Sequence, residues 1–148
     1  MKQTVNNIYN FLQLTEKLST SGMPALDQLS EFLDAGVEYV INLATPKSEG
    51  WMPNEGELLN RLGVEYLSIP VEWENPTGQN LTDFMDAMDA HREKIVHVHC
   101  QANFRATAFV ALYRILRLGW DRERAFTDIR KIWNPEEYPI WDNFLHNA

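Results

Sequence analysis

The chain has 148 residues, 45% hydrophobic and 11% aromatic, which fits one domain with a real core over 1–148 and excludes a disordered segment. Its net charge of −8 argues against nucleic acid and anionic membrane as partners. The lone cysteine, Cys100, excludes an internal disulfide, and no stretch is long and apolar enough to span a bilayer.

The N-terminal residues lack a basic start followed by an apolar run, so no secretory signal is read there and a cytoplasmic location is expected. Residues 1–23 give no clear periodicity, apart from a short edge strand over 18–22 that ends in a turn. Pro24 opens a helix with Leu26, Leu29, Phe32 and Leu33 at helical spacing, closed by Gly36. Residues 37–43 are β-branched and apolar and read as a strand, followed by a Pro- and Gly-punctuated loop over 44–52. A short helix over 54–62 stops at Gly63, and 64–69 is the next strand. After a loop over 70–79, Asn80 caps a helix to about His91, and 95–98 is another strand. Residues 107–118 form a helix stopped by Gly119. Asp121 caps a further helix ending near Asn134 and Pro135, and a last short helix occupies the tail.

Strands alternate with helices, so the class is α/β with a mainly parallel sheet. Ligands of such sheets bind at the carboxyl ends of strands, and Cys100 sits at one such end. The segment Val96-His97-Val98-His99-Cys100-Gln101-Ala102-Asn103-Phe104-Arg105-Ala106-Thr107 is strand, short loop and helix start, with a Cys opening the loop and an Arg closing it. Loop amides and the positive helix end can cradle phosphate or a sulfur oxyanion. The same field lowers a thiol pKa from about 8.5 into a range of roughly 3.5–7.5. No Asp or Glu lies between Lys94 and Asp121, while Arg105, Arg114 and Arg117 do, so the acidic chain is locally basic around its cysteine; at least one of Arg114 and Arg117 belongs to a solvated face.

Each loop residue has a role in this reading. Cys100 is the thiolate nucleophile. Arg105 offers a planar fork of donors to a tetrahedral oxyanion. His99 orients the loop by hydrogen bonding. The Thr107 hydroxyl donates to the sulfur, Asn103 and Gln101 brace the loop carbonyls, and Ala102 and Phe104 complete the binding loop, with Phe104 packing beneath it.

His99-Cys100, the short loop and Arg105 near Thr107 resemble the signature of protein tyrosine and dual-specificity phosphatases. Residues 96–100 resemble their strand into the loop, and 109–114 the buried helix that follows. The resemblance runs from about Thr20 to Trp133 and implies a four- or five-stranded parallel sheet flanked by helices, with no metal and no organic cofactor. The chain departs from the signature at one place. Four residues, Gln101 to Phe104, separate Cys100 from Arg105 where the signature has five, so Ala106 stands at the signature Arg position while Thr107 keeps the hydroxyl position. The central Gly of the signature is also absent, and Asn103 is the stand-in that tolerates left-handed backbone. The tighter spacing is similar to that of rhodanese-like sulfurtransferases, whose loop holds a persulfide. Three readings follow: a phosphatase acting through phosphocysteine, a sulfurtransferase using a Cys100 persulfide, and a relative that binds phosphate or sulfate without turnover.

A phosphatase of this type needs an acid for the leaving oxygen. The resemblance points to the loop after the 64–69 strand, with Glu72 as first choice and Glu74 as second. Asp83 reads instead as a first-turn carboxylate favoured by the helix dipole. His97 and His99 share one strand face, yet no third ligand accompanies them at a diagnostic spacing, so they read as structural. His91 and His146 read as exposed. Trp73, beside the candidate acid, is assigned to the pocket wall, where it can stack on an aromatic leaving group. Trp51, on the loop after the 37–43 strand, is a second wall candidate. Trp120, Trp133 and Trp141 are assigned to core or rim.

Overall fold

The computed structural model describes residues 2–148, with side chains from Val5 onward. After a 3-10 segment, Lys2–Asn7, a hairpin is formed by β1, Leu12–Thr15, and β2, Leu18–Ser21. Next come α1, Leu29–Asp34; β3, Tyr39–Asn42; α2, Glu55–Arg61; β4, Glu65–Ser68; and α3, Gly78–Ala90. The chain continues with β5, Val96–His99; α4, Phe104–Leu116; α5, Arg122–Ile129; a 3-10 turn, Pro135–Glu137; and α6, Pro139–Asn147. The five strands form one sheet in the order β1-β2-β5-β3-β4. Only the β1–β2 pair is antiparallel.

The central strands β3 and β5 are buried along their whole length, because an apolar cluster packs on each face of the sheet. On β5, Val96, Val98 and Cys100 face the larger core with α3 to α6, while His97 and His99 face the side where Phe32 of α1 and Glu55 of α2 lie. On β3, Tyr39 and Ile41 join the larger core and Val40 joins the smaller one with Val5, Leu29, Phe32 and Leu59. Helix α4 is buried continuously from Arg105 to Arg114, so its apolar residues have no solvated stripe. It therefore fixes the loop between β5 and itself against most of the core.

Several boundaries differ from the sequence reading for local reasons. Pro24 does not open a helix; a 3-10 turn over Leu26–Gln28 precedes α1, and Leu26 is exposed. Thr77, not Asn80, caps α3: its hydroxyl accepts from the Asn80 amide, and Asn80 Oδ1 accepts from the Thr77 amide in return. Asp83 consequently lies beyond the first turn and accepts from Gln79 Nε2 at 2.8 Å. Helix α4 starts at Phe104 rather than Thr107, because Asn103 takes φ 70°, ψ 12° and turns the chain at once. Asp121 does cap α5, accepting from the Arg124 amide at 3.2 Å.

The locally basic stretch after Cys100 is not one surface. Arg114, roughly 14 Å along the helix from Arg105, is buried and paired with Asp128 at 2.7 Å. Arg117 is bonded to Asp86 and Asp89. Trp120 is sandwiched between the guanidinium groups of Arg114 and Arg124, at 4.1 and 3.8 Å from its ring centre. His91 is not exposed: it stacks on Tyr39 at 3.7 Å, and its ring nitrogens meet Ala87 O and Glu65.

Candidate active site

The β5–α4 loop is four residues long, Cys100 to Asn103, and the three after the cysteine are each tied down. Gln101 Oε1 accepts from the Glu49 amide at 2.9 Å, and Gln101 O accepts from the Met23 amide at 2.9 Å. Ala102 O accepts from Asn10 Nδ2 at 3.0 Å. Asn103 Nδ2 donates to Asn10 O at 2.8 Å and to Thr20 Oγ1 at 2.9 Å. Asn103 thus braces the loop against the β1–β2 hairpin rather than against the loop's own carbonyls. The Thr107 amide donates back to Asn103 O at 3.3 Å, so the amides before it belong to the helix start and lack intrahelical acceptors.

Arg105 lies in the first turn of α4 and is 6% exposed. Its Nη1 donates to Val71 O at 2.7 Å and its Nη2 approaches Ser48 Oγ at 3.5 Å. A buried guanidinium with two neutral partners keeps unspent donors and positive charge. Arg105 lines two adjoining cavities. One, of about 360 Å³, is walled by Cys100, Gln101, Ala102, Phe104, Arg105, Trp73 and Tyr138. The other, of about 300 Å³, is lined by Thr45, Lys47, Ser48, Glu72, Trp73, Glu74, Gln101 and Arg105. Cys100 and Arg105 therefore share one cavity, while the two candidate acids meet Arg105 in the next one. Glu72 and Glu74 are both exposed on a short turn where Glu72 bridges Asn75.

The wall of the Cys100 cavity is aromatic. Phe104 stacks on Trp133 at 4.7 Å with an interplanar angle of 5°. Trp73 stacks on Trp141 at 5.3 Å, meets Tyr138 edge-on at 5.5 Å, and its carbonyl accepts from Trp141 Nε1 at 2.7 Å. Phe104 belongs to this side wall, not to a layer beneath the loop. Trp51 lines neither of these cavities; it packs on the larger core.

The Thr107 hydroxyl does not take the role expected of it. It donates toward Asn103 O at 2.8 Å and Phe104 O at 3.1 Å, and accepts from Trp133 Nε1 at 2.9 Å. Its one proton is spent on the helix's own first-turn carbonyls, which is the usual competition for a Thr inside a helix.

On the opposite face of β5 the two histidines have separate partners. His97 sits between Ser19 Oγ and Ser21 Oγ, each at 2.7 Å. Ser21 gives its proton to Gly22 O, so it accepts from His97 Nε2–H, and His97 Nδ1 accepts from Ser19. Burial, with the neighbouring His99, holds the His97 pKa well below its ordinary value of 6.5. His99 Nε2 meets Glu55 Oε2 at 2.6 Å, and its Nδ1 faces Cys100 O at 3.4 Å. Among the described residues no group of three His, Cys, Asp or Glu side chains is placed to hold a metal ion.

Asn10, Ser48, Glu55 and Tyr138 were not found from the sequence. Glu55 lies inside the short helix read over 54–62 without being singled out, and the others carry no periodic signal.

No family model matches the chain. A beta-lactamase hydrolase-like protein of Xylella fastidiosa is 31% identical over 108 residues, which are 71% of this chain and 25% of that protein. The chain thus spans about a quarter of the length of that relative. The dual specificity protein phosphatase TpbA of Pseudomonas aeruginosa is 24% identical over 130 residues, 86% of this chain and 56% of TpbA. The TpbA crystal structure, 20% identical, shares the fold with a TM-score of 0.75 over 95% of this chain and 85% of its own. A DUF442 phosphatase-like protein of Shewanella putrefaciens CN-32 is 38% identical in structural alignment, with a TM-score of 0.83 over 98% of this chain and 92% of that one. The chain belongs to the DUF442 family, within the protein tyrosine and dual-specificity phosphatase-like superfamily.

Proposed function

We propose that the chain is a cysteine-dependent phosphatase that hydrolyses a phosphomonoester, with aryl phosphates such as phosphotyrosine as the fitting class. The observation that carries this reading is an aromatic-walled cavity lined by both Cys100 and Arg105. A cavity of about 360 Å³ lies in the range of small-ligand sites.

The Cys100 sulfur attacks phosphorus as thiolate, and the phosphorus–oxygen bond to the leaving group breaks. Arg105 and the free amides of the loop and first helical turn hold the equatorial oxygens. Glu72 gives its proton to the leaving oxygen, with Glu74 as the alternative donor. Water then attacks the phosphocysteine; Glu72 takes the water's proton, inorganic phosphate departs, and the thiolate returns. Trp73, Phe104 and Tyr138 wall the leaving group. Apart from the water, every step uses side chains and backbone amides of the chain itself.

A second reading is favoured by one observation. Four residues separate Cys100 from Arg105, a spacing that resembles the tighter loops of rhodanese-like sulfurtransferases. In that chemistry the Cys100 thiolate takes the outer sulfur of thiosulfate, sulfite leaves, and an acceptor thiolate removes the sulfur from the persulfide.

Rapid acid quench followed by intact mass measurement separates the readings. Mixing with an aryl phosphate leaves one phosphoryl group on Cys100 if the hydrolase reading holds. A Cys100 that gains sulfur from thiosulfate and nothing from the phosphate ester overturns it, and an unmodified Cys100 with bound phosphate leaves a binding relative.

A further inference from the structure

Behind the loop, on the sheet face away from the cavity, a buried polar chain runs from the Cys100 carbonyl through His99, Glu55 and Asn42 to Tyr66. His99 and Glu55 are both 0% exposed. Glu55 Oε1 accepts from Asn42 Nδ2 at 3.1 Å, and Asn42 Nδ2 also lies 3.1 Å from the Tyr66 hydroxyl. Asn42 Oδ1 is taken by the Ala44 amide at 2.8 Å, which fixes the amide's orientation.

The proton count follows from these partners. A carbonyl oxygen carries no hydrogen, so His99 Nδ1, facing Cys100 O, carries one. Another proton lies between His99 Nε2 and Glu55 Oε2. The other carboxyl oxygen of Glu55 accepts from Asn42, and a carboxyl that only accepts is stabilised in its charged form. Placing the shared proton on His99 makes the pair imidazolium and carboxylate. The other titratable groups around it stay neutral. His97 on β5 has both ring nitrogens taken by Ser19 and Ser21. Tyr66 on β4 is pushed up to about 12 by burial and by the Glu55 charge. From α1, Phe32 packs on His97 at 4.6 Å.

We propose that Glu55 is the positioning residue of the nucleophile loop: its carboxylate holds His99 as an imidazolium directed at the Cys100 carbonyl, so that the Cys100 thiolate forms beside a fixed, buried cation. The proposal rests on Cys100 being the nucleophile, in either of the chemistries above. A buried carboxylate alone would be costly on this face; paired with His99 it fixes the charge next to the sulfur's own residue.

The lone cysteine makes the test clean. Far-ultraviolet thiolate absorbance is followed against pH for the full chain, with Cys100→Ser as the blank. In folded Glu55→Gln the midpoint of thiolate formation rises by about one pH unit, leaving about tenfold less thiolate at pH values well below both midpoints, and Glu55→Asp restores part of the shift. An unchanged midpoint in folded Glu55→Gln overturns the proposal. Ring-nitrogen NMR of the wild-type protein keeps it testable if Glu55→Gln does not fold: both His99 nitrogens are protonated at neutral pH, and a His99 with one bare nitrogen overturns it. A midpoint that moves in a protein with no phosphate ester turnover leaves the proposal standing and removes only the hydrolase reading.

Discussion

Asn10 and Asn103 clamp the Cys100 loop: Asn103 Nδ2 donates to Asn10 O at 2.8 Å, while Asn10 Nδ2 donates to Ala102 O at 3.0 Å. They also share left-handed backbone, with φ of 53° and 70°. Asn is among the few residues with a side chain that adopt this region readily. Replacing Asn103 with Ala removes two hydrogen bonds and strains the backbone, so unfolding free energy should fall by about 2–4 kcal/mol. Asn103→Gly loses the same bonds without the strain and should cost less. Urea denaturation of the two variants measures the difference; equal losses would show that the left-handed turn contributes nothing.

His97 predicts a pH dependence. Its folded pKa lies well below 6.5, because burial disfavours its cation. In the unfolded chain it protonates below about 6.5. The unfolded state therefore binds more protons below that pH, and stability rises with pH from the depressed folded value up to about 6.5, then levels off. The contribution is at most about 1.4 kcal/mol per pH unit inside that window. Urea melts of wild type and His97→Gln between about pH 7.5 and pH 5 measure it, and parallel curves would contradict it.

Gly22 is held by proximity rather than by backbone angle. A Cβ there would lie 2.6 Å from Tyr9 Cδ2 and 2.7 Å from Gln101 O. Since Gln101 O is loop backbone, Gly22→Ala must push the loop itself. A loss of about 1–3 kcal/mol is expected, together with weaker binding of inorganic phosphate by titration calorimetry. Unchanged phosphate affinity would mean that the loop tolerates the shift.

Trp73 lines the cavity shared by Cys100 and Arg105, which makes its ring a test of substrate class. Removing its ring with Trp73→Leu should raise KM for an aryl phosphate roughly 3- to 10-fold while leaving KM for a small alkyl phosphate nearly unchanged. Equal effects on both would assign Trp73 to the fold alone.

Glu72 and Glu74 line the same cavity, so kinetics must choose between them. Glu72→Gln should lower kcat about 100-fold for an ester with a basic leaving group and much less for nitrophenol. Glu74→Gln should change little. The reverse pattern would transfer the acid role to Glu74.

The strand–loop–helix around Cys100 was legible because an apolar alternating strand, a lone cysteine and an Arg stand together in sequence. Asn103 was read as the stand-in for the central Gly of the signature that the loop resembles, and it takes the left-handed turn with φ of 70°. Strand β1 was not: Leu12–Thr15 is an edge strand with mixed exposure, and its pairing with β2 is visible only in three dimensions. The direction of the Thr107 hydroxyl depends on Trp133, a partner 26 residues away. Glu55 was hidden because its meaning comes from His99, 44 residues later and on another element.

Steady-state turnover of a generic aryl phosphate, with Cys100→Ser as the paired control, tests the central claim most directly. Turnover by the wild-type chain that disappears in Cys100→Ser is the expected result. Wild-type turnover no greater than that of Cys100→Ser would contradict it.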